Sequence, residues 1–196
     1  NRALGGEVFQ ACGATFVRNA ALAILYDLNH VTRVQIADTA ELTTLLTRME
    51  HEFAHCRHRQ VVVDPDTPAA VEARLVLDGY DDVDTSLVML LEGPLRATAP
   101  RHSIRAVVTP TDWDDYARLK RLDWAERAAR LGLGALPDVG EALIQSYRAK
   151  VPPLRYWLAL VDGVPRGFLS SWEGLDGVGQ VEDLFVEAAY RHRGLA

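Results

Sequence analysis

The sequence contains only two cysteines, Cys12 and Cys56, among its 196 residues. That excludes a disulfide framework and fits a reducing compartment. Long apolar runs are lacking as well, and nothing approaches the roughly 20 residues that a membrane-spanning helix needs. The opening stretch, NRALGGEVFQACGA, has no basic region followed by a long apolar one, so it carries no export signal. Together these absences make the cytoplasm the expected compartment. An excess of positive charge is also missing: the formal net charge of -6 gives no argument for a nucleic-acid partner. No tandem repeat is exact. The remainder, 48% hydrophobic and 24% charged, is the composition of a soluble globular protein. Its length suffices for one sizeable core or two small ones.

Apolar patterns of period two and period 3.6 alternate along the chain. Residues 31–37, VTRVQIA, are strand-like and lead into the helical pattern DTAELTTLLTRMEHEFAH, where Asp38 and Glu41 form an N-cap and N3 pair. RQVVVD reads as a buried strand because three successive valines favour extended backbone. TPAAVEARLVLDGY reads as a helix capped by Thr67, with Pro68 at its first turn and a stop near Gly79. SLVMLLEG supplies a further strand, completing a β-α-β-α-β unit over about residues 31–92. GPLRATAPRHS is the best linker, and residues 96–103 divide a first unit, 1–95, from a second, 104–196.

The second pattern opens with the strand IRAVVTP. A long helix follows, for which Thr111 is the expected cap and residues 132–137 the end. DVGEALIQSYRAK is the next helix, with Leu143 and Tyr147 four residues apart. RYWLALVDGVPRGFLSSWEG reads as a hairpin turning at Asp162-Gly163. GVGQVEDLFV gives one more strand. Trp113, Trp124 and Trp157 are expected in the core, and Trp172 lies in the outgoing arm of the hairpin.

Two segments spell chemistry. The first is H-E-F-A-H, residues 51–55, with two histidines at i,i+4 and Glu52 placed to activate a metal-bound water. Leu42, Leu45, Leu46, Met49 and Phe53 form that helix's buried stripe, and the histidines project from the other side. They lie on the last turn, however, just ahead of the expected VVVD strand. Neither His58 nor His102 completes a zinc-protease pattern. The expected reading is therefore a solvated helix end whose cationic side chains suit the helix dipole, with no metal and no hydrolase activity.

The second segment is GQVEDLFVEAAYRHRGLA. An apolar strand runs into a basic, glycine-containing loop where a helix should begin, an arrangement of backbone N–H groups and arginines suited to a phosphate. Gly194 would let the backbone approach that anion without a Cβ in the way.

Residues 104–196 resemble the first half of a GNAT-family N-acetyltransferase domain. The resemblance rests on the first strand, two helices, the hairpin YWLALVDGVPRGFLS, the strand ending LFVEAAYRHRGLA, and the loop pattern Arg/Gln-x-x-Gly-x-Gly/Ala at Arg191, Gly194 and Ala196. It implies an acyl-CoA N-acyltransferase-like α/β fold (α+β by sheet type), with a mixed sheet flanked by helices. It also implies acetyl-CoA as cofactor. The backbone of Leu184, Phe185 and Val186 would lie along the pantetheine and thioester. The loop formed by Arg191, His192, Arg193, Gly194, Leu195 and Ala196 would cradle the pyrophosphate. Glu182 is the candidate catalytic base for direct attack by an amine, while Asp183 is expected to face the other way.

The acceptor would be a small-molecule or peptide amine, and a homodimer is left open. Residues 31–92 resemble part of a second, degenerate copy, as in bacterial proteins with tandem acetyltransferase-like domains. That copy has no such loop and is expected to bind no cofactor. The family pattern continues beyond the loop with further helices and strands, so the second unit is expected to be incomplete. The alternative is a catalytically silent acyl-CoA-binding or scaffold module.

Overall fold

A computed structural model describes residues 4–80, 88–94, 102–132, 137–174 and 177–195. Its contacts divide the chain into two compact bodies, Gly6–Arg96 and Ala97–Ala196, with Leu4 and Gly5 joining the latter. Among the described residues, no helix is long and apolar enough to cross a membrane.

The first body begins with an antiparallel hairpin, β1 (Glu7–Ala11) and β2 (Ala14–Arg18). Cys12 and Gly13 turn it, both at positive φ, and a Cβ on Gly13 would collide with the Gln35 carbonyl. β3 (His30–Thr32) joins the other edge of β2, giving the order β1-β2-β3. The strand expected over residues 31–37 is thus cut short, because Arg33 enters the left-handed region and breaks the pleat.

Helix α1 (Thr39–Glu52) forms as expected, with the Asp38 side chain accepting from the N–H groups of Ala40 and Glu41. Glu41 reaches back to the Ala37 N–H at 2.7 Å. Its apolar stripe is buried: Leu42, Leu45, Met49 and Phe53 meet Phe16, Val31, Val71 and Leu75 in one core. Phe16 stacks between Phe9 and Phe53, with ring centroids 5.2 and 6.0 Å away. Phe16 and Phe53 are fully buried, each worth about 1.5–3 kcal/mol of transfer free energy.

RQVVVD is not a strand. It makes one parallel bridge, Val31 to Val61. Valine favours extended backbone but cannot supply a ladder partner, and Asp64 already commits the chain to a turn by bonding Asp66 and Thr67. That bond also takes the Thr67 hydroxyl, so helix α2 (Ala69–Leu77) is capped one residue later, at Pro68. The helix stops at Leu77, and Gly79 just beyond it has φ +88°. The strand expected at SLVMLLEG is absent over its described residues, 88–93. These lie without regular structure, with Val88 90% and Met89 85% exposed, and no described strand pairs with them. Residues 86 and 87 lie outside the described residues, as does most of the expected linker.

In the second body, β4 (Ser103–Ala106) leads to α3 (Pro110–Arg130). Its cap is Thr109 rather than Thr111. Thr109 Oγ1 accepts from the Asp112 N–H, and Asp112 returns to the Thr109 N–H at 2.8 Å. Pro110 explains the shift, since proline is best placed at the first helical position, directly after the cap. α4 (Pro137–Ala149) follows, then β5 (Leu154–Val161), β6 (Val164–Trp172) and β7 (Gln180–Val186). Asp162 and Gly163 turn the β5–β6 hairpin at φ +50° and +78°.

The sheet order is β4-β5-β6-β7 with every pairing antiparallel. The strand pairings among the described residues are thus all antiparallel and do not make the expected mixed sheet. The inward alternation of β5 brings Tyr156 and Leu158 against Tyr116, Tyr147 and Phe168. Trp113 and Trp172 pack at the margin of this core.

Candidate functional site

β7 is one of the two edge strands of the second sheet among the described residues. Gly167 of β6 lets it lie close, since a Cβ there would meet the Phe185 carbonyl oxygen at 2.8 Å. Phe185 and Val186 turn into the core, whereas Leu184 stays 56% exposed. Phe185 can therefore offer a ligand only its backbone. After Val186 the chain turns through Glu187, whose N–H bonds the Arg166 carbonyl at 2.9 Å, and one short helical turn, Ala188–Tyr190.

Leu184, Val186, Tyr190, Arg191, His192, Gly194 and Leu195 line a groove of about 350 Å³. Two side chains hold its loop in shape. The Arg191 guanidinium donates to the Val186 carbonyl at 3.0 Å and pairs with Glu126 at 2.7 Å. A ring nitrogen of His102 donates to the Arg193 carbonyl at 3.1 Å.

His192 and Gly194 are both left-handed, at φ +60° and +76°. The backbone N–H groups of residues 192–195 donate to no acceptor among the described residues. A Cβ on Gly194 would meet nothing within 4 Å, so the space beside it is open. Arg193 lies over the Tyr190 ring at 5.2 Å, opposite no acidic partner among the described residues. Ala196 lies outside the described residues. The loop itself contains no helical residue beyond Tyr190.

Glu182 sits on β7 outside the groove lining. Its carboxylate is bonded by the Gln180 side-chain amide, and its carbonyl accepts from Ser170 Oγ at 3.2 Å. Asp183 points to the helices instead. Its Oδ1 receives Lys120 Nζ at 3.3 Å and the Tyr147 hydroxyl at 3.5 Å.

Lys120 is 5% exposed. Burial alone would make it a weaker base, but Tyr147, Asp183 and Asp123 oppose that, and its pKa ends above the ordinary lysine value. Burial pushes the Tyr116 hydroxyl well up, with the Asp183 charge adding to the effect. The signal for this cluster was a lysine at i+4 from Tyr116 on the buried stripe of α3.

The H-E-F-A-H segment is built differently. Glu52 is buried and engaged by Arg18 and by Arg48, the latter at 2.6 Å. His51 is 81% exposed at its side chain, while His55 Nε2 meets Asn29 Oδ1 at 3.1 Å. Burial lowers the pKa of His58 and favours its neutral form. Glu52 is thus a buried ion-pair partner of two arginines.

Residues 113–196 match the acetyltransferase (GNAT) family. The chain's fold is similar to that of a functionally unknown conserved protein from Staphylococcus epidermidis ATCC 12228. The TM-score is 0.65 at 9% identity, over 97% of this chain and 75% of that one. A ribosomal-protein-alanine N-acetyltransferase from Brucella melitensis biovar Abortus 2308 is 24% identical over 48% of this chain and 63% of its own, with a TM-score of 0.34. An aminoglycoside 6'-N-acetyltransferase complexed with coenzyme A is 18% identical over 46% and 47%, also at 0.34. No curated protein matches the sequence.

Proposed function

We propose that the second body carries the cofactor half of an N-acetyltransferase that moves the acetyl group of acetyl-CoA to an amine. One observation carries this reading. The groove brings the end of β7 together with a loop whose N–H groups at residues 192–195 meet no acceptor among the described residues and whose Gly194 opens onto free space.

Pantetheine would run along the backbone of Leu184, Phe185 and Val186. The N–H groups of His192, Arg193, Gly194 and Leu195, and of Ala196 beyond them, would bind pyrophosphate. Arg193 adds positive charge at the rim. Arg191, committed to Glu126 and the Val186 carbonyl, shapes the loop rather than contacting phosphate.

Bound acetyl-CoA supplies the activated acyl group. The chain's own tasks are to hold the thioester in line and to take the proton from the attacking amine, the latter assigned to the Glu182 carboxylate. The acceptor is a small-molecule or peptide amine, and the cytoplasm is the proposed setting. In the same reading the division falls at residues 96–103, and residues 1–95 form a related unit without a cofactor loop. Calorimetric titration with acetyl-CoA tests the proposal. Saturable one-site binding supports it, and no heat at millimolar ligand contradicts it.

A further inference from the structure

β7 contains an irregularity that the groove does not explain. Glu182 pairs with Ser170 and Phe185 with Phe168, so Asp183 and Leu184 together face the single residue Leu169. This is a bulge. At its centre Asp183 has φ +53°. The other non-glycine residues with positive φ among those described are Cys12, Arg33, Asp162 and His192, all in turns or loops. Asp183 alone takes that conformation inside a strand, where a side chain costs energy unless the surroundings hold it.

The holding group is visible. Lys120 Nζ reaches Asp183 Oδ1 at 3.3 Å and Asp123 Oδ2 at 2.8 Å. It stands over the rings of Tyr147 and Phe168, 5.1 and 5.2 Å from their centroids. Two carboxylates and two aromatic faces thus fix the ammonium, and the Tyr147 hydroxyl approaches the same Asp183 oxygen. A buried lysine in an apolar helical stripe is costly, and one anchored at a strained strand residue has a place to act. The next residue, Leu184, lines the groove.

We propose that Lys120 is a positioning residue. By holding the Asp183 carboxylate it maintains the β7 bulge and so presents the Leu184 backbone to the groove. This rests on reading the groove as the acyl-CoA site. The role belongs to the backbone shape, and the charge serves only to secure it.

Glycine at position 183 therefore provides the test, since it adopts positive φ without an anchor. Asp183→Ala and Asp183→Gly lose the same carboxylate, but alanine keeps the conformational cost. In the whole protein, Asp183→Ala should shift the Leu184 amide resonance and weaken acetyl-CoA binding about tenfold. Asp183→Gly should keep the wild-type resonance and bind within about twofold. Lys120→Met should behave like the alanine variant, and Lys120→Met with Asp183→Gly should restore both readings. Should Asp183→Ala fail to fold, the Lys120→Met pair carries the comparison.

Equal behaviour of the alanine and glycine variants overturns the inference, as does an unmoved Leu184 amide in folded Lys120→Met. If wild type itself binds no acetyl-CoA, the cofactor reading falls. The Leu184 resonances still decide whether Lys120 sets the bulge.

Discussion

The segment H-E-F-A-H and the segment R-H-R-G-L-A both combine histidine with charged neighbours at the end of a regular element. In the first, nearly every polar group is spoken for. Glu52 is buried between Arg18 and Arg48, Arg18 is further held by Glu7 at 2.6 Å, and His55 meets Asn29. In the second, only the scaffold is committed. Arg191 and His102 tie the loop down, while the N–H groups of residues 192–195 meet no acceptor among the described residues and the space beside Gly194 is open. Spent hydrogen-bonding capacity marks a structural motif, and unspent capacity held in a rigid frame marks a binding one.

Substitutions can break or sharpen this contrast. Glu52→Ala should lower stability by about 2 kcal/mol in urea unfolding, below the full cost of breaking a buried pair because both arginines are partly exposed. Its acetyl-CoA affinity should not change. A functional loss without a stability loss would reverse the assignment. Gly194→Val should do the opposite. A Cβ there meets nothing within 4 Å, but the residue must adopt φ +76° in the groove wall. Titration should register at least about tenfold weaker acetyl-CoA binding, or 1.4 kcal/mol, with an unchanged circular dichroism spectrum. Glu126→Gln loosens only the solvent-exposed tether of Arg191 and should weaken binding about twofold, less so in high salt. His51→Ala, at an 81% exposed side chain, should alter neither quantity.

Legibility in the sequence followed local determinants. The β5–β6 hairpin was readable because alternation and Asp162-Gly163 specify it within twenty residues, and α1 because Asp38, Glu41 and the leucine stripe agree. The β1–β2 hairpin was missed. Its turn is Cys12-Gly13, which lacks the usual Asn or Asp before glycine, although Phe9, Phe16 and Val17 supply the apolar pattern. VVVD and SLVMLLEG were misread for one shared reason: a β-branched or apolar run states a preference, while a strand exists only where another strand accepts it.

At the site, the groove loop stood out because its residues are contiguous. Alternation sets Asp183 on the other side of the strand from Glu182, but its left-handed backbone and its pairing with Lys120, 63 residues away in sequence, depend on tertiary packing. No local pattern encodes such a pair.

The most direct test of the central claim is a backbone amide NMR titration of the wild-type chain with acetyl-CoA. The account predicts saturable shifts at Leu184, Phe185 and Val186 and at His192, Arg193, Gly194 and Leu195, with residues 51–55 unmoved. Shifts absent from that loop, or appearing at residues 51–55 instead, would contradict it.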